Sequence, residues 1–216
     1  MARRTKEDAL ATRAALLDAA EHLFQKNGVS RTSLADIAQA AGVTRGAIYG
    51  HFQDKAALFN AMLDRTTLPL SAPLERIAQH DPEPLQAWCA HLRHALHQIA
   101  HDARTRRVLQ IAVQKIEHTD SMAEVIDRHV QLNRTNLDSE RRIFERAAAA
   151  QGVKLPAPAE QLAHGFHAMI SGLVYGWLME SNFDLEAAGW TSIQVFLRGT
   201  GLELHAPVPT LPTDRG

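Results

Sequence analysis

Residues 32–52, TSLADIAQAAGVTRGAIYGHF, constrain the fold more than any other stretch of the chain. Leu34, Ile37, Ala38 and Ala41 recur at helical spacing and make one apolar face. Ser33 stands where an N-cap belongs, and Asp36 three residues on completes a capping-box-like start. Gly42 suits the left-handed residue that ends a helix. Val43 follows and can plug the angle behind it. Thr44 caps a second short helix over 45–52, whose Ala47 and Ile48 face inward. Arg45, Tyr49 and His51 are left outside. Two helices around a glycine-containing turn, the second with exposed polar groups near its start, form a helix-turn-helix pattern.

The chemistry follows from where that second helix would lie. A DNA major groove is about 12 Å wide and admits one α-helix. Arg45 occupies the first turn, the part of a recognition helix that reaches base edges. Its guanidinium fork can pair with guanine O6 and N7. Thr44, Tyr49 and His51 carry donors suited to phosphates, which fix register rather than read sequence. Lys55, at the start of the following helix, is placed to reach the DNA backbone as well. Thr32 and Ser33, at the opening of the motif, are counted with these DNA-contact candidates.

Elsewhere the sequence is helical throughout. Apolar periodicity predicts helices over about 8–26, from 54 onward, and over 84–101, 102–118, 121–150, 159–181 and 185–204. Pro69 and Pro73 are expected to interrupt the fourth helix. No strand-period segment stands out, so the fold class is all-α. The expected domains are 1–53 for DNA binding, 54–204 for ligand binding and dimerisation, and a frayed Pro-rich tail at 205–216. Residues 1–65 hold nine Lys/Arg against seven Asp/Glu, a small excess compatible with a DNA-facing N-terminus.

Composition narrows the function. One cysteine, Cys89, excludes an internal disulfide framework and fits a reducing cytoplasm. The polar start lacks the apolar core of a signal peptide, and no apolar run approaches the roughly 20 residues of a membrane span. A phosphate loop, an H-E-x-x-H pair and a nucleophile elbow are all missing, so no enzyme is expected. His91, His94 and His101 share the polar side of helix 84–101. The plain reading is a solvated face, so neither a metal nor another cofactor is expected.

The C-terminal helices suggest an effector pocket and a dimer seam. Leu92, Leu96, Val113, Ile116, Leu137, Phe166 and Ile170 are the expected apolar walls. Asn133 and His167 are the expected polar handles. Asn133 lies between Val130 and Leu137 on an apolar stripe, where an amide needs a partner. Gly165, Gly172 and Gly176 lie along one edge of helix 159–181, which is apolar around much of its circumference. Three glycines on one edge suggest close approach of another helix, so these glycines, with Trp190, are assigned to a dimer interface. Cys89, among Trp88, Leu92 and Leu96, reads as structural.

The stretch TSLADIAQAAGVTRGAIYGHFQDKAALF resembles the DNA-binding domain of the TetR family of bacterial repressors. The likeness runs from Thr12 to about Met62. The start MARRTKEDALATR and the DARTRR and EHTDSM stretches are similar to the multidrug-efflux, AcrR-like branch of that family. The resemblance implies a homodimeric repressor on a near-palindromic DNA operator. A small lipophilic effector would release it, and an efflux-pump operon would be its target. It also implies DNA contacts from Thr44, Arg45, Tyr49, His51 and Lys55. Gly50 departs from the branch, which usually has a large aromatic residue there. A regulator of lipid or catabolic genes with another effector is the alternative reading.

Overall fold

A computed structural model describes residues 2–115 and 123–209, with side chains from residue 6 onward. Among the described residues there are nine helices and no strand. They are α1 (Ala2–Asn27), α2 (Leu34–Ala40), α3 (Arg45–Tyr49), α4 (Lys55–His80), α5 (Pro84–His101), α6 (Ala103–Gln114), α7 (Ala123–Gln151), α8 (Ala159–Glu180) and α9 (Leu185–Thr200).

The chain forms two compact units that differ from the domain boundary expected at 53/54. Among the described residues, one holds 2–67, 107–115 and 123–129, the other 68–106 and 130–209. The chain passes from one to the other inside α4, α6 and α7. Pro69 and Pro73 do not end α4, which runs unbroken to His80. Each proline removes one N–H from the helical ladder, and the two lie one turn apart, just past the boundary between the units.

The first unit is built on α1. Leu16, Leu17, Ala20 and Phe24 form its inner face. They pack with Ile37 and Ala38 of α2, Ile48 of α3, and Leu58, Phe59 and Met62 of α4. Val108 and Ile111 of α6 join the same core, which explains why 107–115 belongs here. Glu21 lies buried in this unit, 1% exposed. It pairs with Arg65 of α4 and lies 3.6 Å from Arg107 of α6. A carboxylate so deeply buried is sustained by such partners.

The second unit centres on an aromatic cluster. Trp88 lies 4.5 Å from Phe166 and 5.5 Å from Phe144 between ring centroids, and Phe196 lies 5.2 Å from Phe166. Phe166, expected as a wall of the effector pocket, sits inside this cluster, 1% exposed. Helices α5 and α9 approach closely at Gly189. A Cβ there would lie only 2.5 Å from Leu96 Cδ1, so Leu96, expected as an effector wall, packs against α9. The expected fraying of the tail fails for residues 205–209. Gln86 Nε2 donates to Ala206 O at 3.0 Å, Arg93 Nη1 donates to Val208 O at 2.7 Å, and Val208 is buried.

Candidate nucleic-acid interface and effector region

The turn between α2 and α3 forms as its residues dictate. Ser33 Oγ accepts from Asp36 N, and Asp36 accepts from Ser33 N at 2.9 Å, closing the capping box. The Ser33 bonds hold the Asp36 carboxyl below the usual range. Ala41 ends α2, and Gly42 takes φ +71°, the left-handed conformation that L side chains rarely adopt. Val43 N then donates to Ala38 O at 3.0 Å. Thr44 Oγ1 accepts from Ala47 N at 3.2 Å and starts α3. Ile48 anchors α3 in the core, fully buried.

This anchoring fixes what α3 shows to the outside. Thr44, Arg45 and Gly46 are exposed, and Tyr49 is 53% exposed. Among the described residues neither Arg45 nor Tyr49 has a hydrogen-bond or ion-pair partner. His51 is half-buried, its ring 6.4 Å from Phe52. Ser33 is exposed, with its hydroxyl bonded to Asp36.

Two of the expected DNA contacts are placed otherwise. Thr32 is 1% exposed, and its hydroxyl donates to Gly28 O at 2.8 Å, so it pins the loop after α1. Lys55 points into the same loop. Its ammonium donates to Val29 O at 2.9 Å, Thr32 O at 3.1 Å and Ser30 O at 3.2 Å. Three carbonyls match the three donors of a lysine. The geometry makes Lys55 a strap holding the segment that leads into α2. No local pattern signals this, because the acceptors lie 23–26 residues earlier in the chain.

The expected effector residues divide as follows. Val113 belongs to the first unit, while Leu92, Leu96, Asn133, Leu137, Phe166, His167 and Ile170 belong to the second. Ile116 lies outside the described residues. Leu137 lines an open cleft of about 340 Å³ with Arg134, Asp138, Arg141, Ala163 and His164, a far more charged lining than expected. Val130, on the same stripe, is exposed. Asn133 is half-buried and already interacts within the chain.

His167 has a defined partner that the sequence reading did not assign to it. Its Nδ1 lies 3.2 Å from Glu140 Oε1, joining α7 to α8. Glu140 is 6% exposed, and its other oxygen, Oε2, is buried with no hydrogen-bond partner among the described residues. Burial pushes the Glu140 carboxyl above its usual range, with His167 drawing it partly back. The Glu140 hydrogen bond lifts the His167 imidazole above its usual value, against the opposing effect of burial.

The remaining assignments sort by environment. Gly172 is open and exposed, Gly176 has no neighbour where a Cβ would lie, and Gly165 faces the Phe196 ring at 3.7 Å within the chain. Trp190, expected at the dimer interface, has a neighbour within the chain. It is half-buried beneath the Arg93 guanidinium, 4.7 Å from its ring centroid. Cys89 is fully buried, and burial pushes its thiol up to about 12, so it carries no reactive thiolate. His91 is not solvated: it is half-buried with Nε2 2.5 Å from Leu70 O, and burial lowers its pKa. No helix of the described residues is long and apolar enough to cross a membrane.

Comparison with known proteins agrees with this arrangement. Residues 16–62 match the family described as bacterial regulatory proteins, tetR family. Residues 83–200 match the C-terminal region of MAATS-type transcriptional repressors. The regulator TtgR of Pseudomonas putida is 41% identical over 184 residues, covering 83% of this chain and 86% of TtgR. Native NalD, a secondary repressor of the MexAB-OprM multidrug efflux pump in Pseudomonas aeruginosa, superposes with a TM-score of 0.80 at 34% identity. That match covers 89% of this chain and 98% of NalD. A complex of SmeT, the repressor of a Stenotrophomonas maltophilia efflux pump, with triclosan superposes with a TM-score of 0.81 at 30% identity. It covers 94% of this chain and all of the SmeT chain.

Proposed function

The chain belongs to the TetR family of bacterial transcriptional regulators, and from that premise we propose that it represses a multidrug-efflux operon and leaves its operator on binding a small lipophilic effector. The observation that carries the DNA side is the outward face of α3, where Arg45 and Tyr49 stand exposed and unengaged on a helix anchored by Ile48. Arg45 reads a base edge. Thr44, Tyr49 and His51 meet phosphates, and Lys55 and Thr32 set the position of α2 from behind.

The protein acts in the cytoplasm as a homodimer. Support comes from one stripe of α8, where Gly172 and Gly176, and Tyr175 and Met179, lie four residues apart and the two pairs are offset by three. Tyr175 is 54% and Met179 51% exposed, beside open glycines. Large apolar side chains flanking small residues suit a helix of a second copy. A two-fold dimer presents its two α3 helices about 34–36 Å apart, or a multiple of that, and so calls for a near-palindromic operator. The effector's polar contact is the Glu140–His167 pair, because Glu140 offers a buried oxygen still in need of a donor. An effector preferring the DNA-free arrangement lowers operator affinity by linkage.

Gel-shift titration on DNA neighbouring its own gene, with and without triclosan as a trial effector, tests this reading. Arg45→Ala should lose about 1–3 kcal/mol on the operator and relax selectivity at one position. Equal losses on operator and random DNA would remove Arg45 from base reading. No specific DNA binding by the native chain would overturn the function itself.

A further inference from the structure

The boundary between α5 and α9 holds a cluster for which the repressor function has no use. His97 and His101 are one turn apart on α5, so both imidazoles project from the same face. Glu186, in the first turn of α9, reaches toward them. His97 Nδ1 lies 3.2 Å from each oxygen of Glu186, and His101 Nε2 lies 2.6 Å from Oε1. One ligand atom from each residue can be chosen so that all three lie within 4.8 Å of one another.

We propose that His97, His101 and Glu186 form a binding site for a divalent transition-metal ion of the zinc class. Two imidazoles and one carboxylate are borderline donors suited to Zn²⁺, Co²⁺ or Ni²⁺ rather than to Mg²⁺ or Ca²⁺. With metal–ligand distances of about 2.0–2.2 Å, a tetrahedral ion needs its donors about 3.4 Å apart. The spacings present, from 2.6 Å up to at most 4.8 Å, bracket that value.

Three features of the surroundings favour an ion over a simple hydrogen-bonded trio. First, among the described residues Glu186 has no partner except these two imidazoles. The arginines of this region are engaged elsewhere. Arg93 lies over Trp190 and donates to Val208 O, and Arg106 lies over Trp177 and donates to Ala100 O. Second, the ligand-bearing helices are fixed against each other. Leu96, next to His97, fills the space over Gly189, and Asp184 Oδ1 caps α9 by accepting from Ala187 N at 2.9 Å. Third, His101 and Glu186 border a cleft of about 490 Å³. That cleft leaves a path for the ion and room for water in the remaining coordination position, as in open three-ligand sites. A bound ion ties α5 to α9 and stabilises the folded chain by mass action.

The test uses the full-length chain without an added polyhistidine segment, stripped by a chelator and titrated with Zn²⁺ against a chromogenic competitor. The expected result is one tight site per chain, a higher thermal midpoint with Zn²⁺, and Co²⁺ absorption bands typical of low coordination number. Loss of an outer-shell partner typically costs 10–100-fold in metal affinity. A direct ligand should therefore cost at least about 100-fold, in His101→Asn and in Glu186→Gln alike. His101 is largely exposed, so its replacement leaves the fold intact. His94→Asn, on the same helix and exposed, should change nothing. Absence of a one-to-one site, retention of tight binding in both ligand variants, or equal loss in His94→Asn would each overturn the assignment.

Discussion

Replacing Lys55 with methionine separates two roles that its position near the recognition helix confuses. In the structure its ammonium serves the carbonyls of Val29, Ser30 and Thr32, at 2.9, 3.2 and 3.1 Å. Methionine keeps most of the aliphatic stem and removes the donors. A hydrogen bond to a charged group contributes roughly 1.5–3 kcal/mol net. The three bonds are not additive, because exposed Ser30 lets water rehydrate part of the loop. The expected loss is therefore about 1.5–3 kcal/mol for the whole strap. In a chain of this size, 1 kcal/mol moves the midpoint by about 2–4 °C, so the drop should be about 3–12 °C. Operator affinity should fall too, because the loop over 29–32 leads directly into α2. The dependence of log affinity on log salt should keep its slope. A phosphate-bound lysine behaves in the opposite way: its removal lowers the slope by about one unit. Calorimetry and a salt series on the same variant decide the matter. An unchanged midpoint together with a slope reduced by about one would refute the strap and restore Lys55 to the DNA.

Two further substitutions probe the second unit. Gly189→Ala places a methyl 2.5 Å from Leu96 Cδ1 and 3.2 Å from Cδ2. Overpacking of about 1–3 kcal/mol then competes with about 1 kcal/mol of gained helix propensity, so thermal melts should show a net loss of up to about 2 kcal/mol. Combined with Leu96→Ala, the same methyl should recover part of that cavity's cost, and strict additivity in the double-mutant cycle would count against the close contact. The Glu140–His167 pair makes stability fall with rising pH. Both groups bind protons more tightly when folded, Glu140 because it is buried and His167 because of its carboxylate partner. Their contributions are full below the ordinary values of 4.5 and 6.5 and fade as pH climbs through the raised ones. Glu140→Gln should flatten thermal midpoints measured above about pH 6.5. A slope there identical to the native one would show that His167 does not titrate through this pair.

What could be read from the sequence was local. The capping box of Ser33 and Asp36, the left-handed Gly42 and the Thr44 cap all involve partners within a few residues, and each formed as the residue types require. Apolar periodicity placed the helices but not always their covered side: Leu10 of α1 is 60% exposed while Leu16 is fully buried. Contacts that cross the chain stayed hidden. Lys55 reaches back to 29–32, and His97 and His101 meet Glu186 across 85–89 residues. Periodicity placed His101 on a polar face. It carried no information on which carboxylate a second helix would bring there. The two prolines of α4 misled for a related reason, since a local breaker signal was overridden in a helix shared by both units.

The glycines of α8 show where such reading stops and what the structure adds. Small residues on one helical edge mean close approach, but a sequence does not say whether the approaching helix comes from the same chain. Gly189 of α9, which no such edge marks, and Gly172 of α8 give opposite answers. At Gly189 the space is taken by Leu96, so burial is complete within one chain. At Gly172 nothing stands within 4 Å, and the apolar side chains one turn along the helix, Tyr175 and Met179, are exposed. Exposed apolar surface is costly in water unless something covers it. The stripe's spacing along α8 suits a partner helix, and the two-fold pairing proposed here supplies one. Gly172→Leu is then the sharper of the two glycine changes for assembly. It adds bulk where the isolated chain has room, so a loss of dimer by ultracentrifugation with unchanged helicity would arise between chains and not within one.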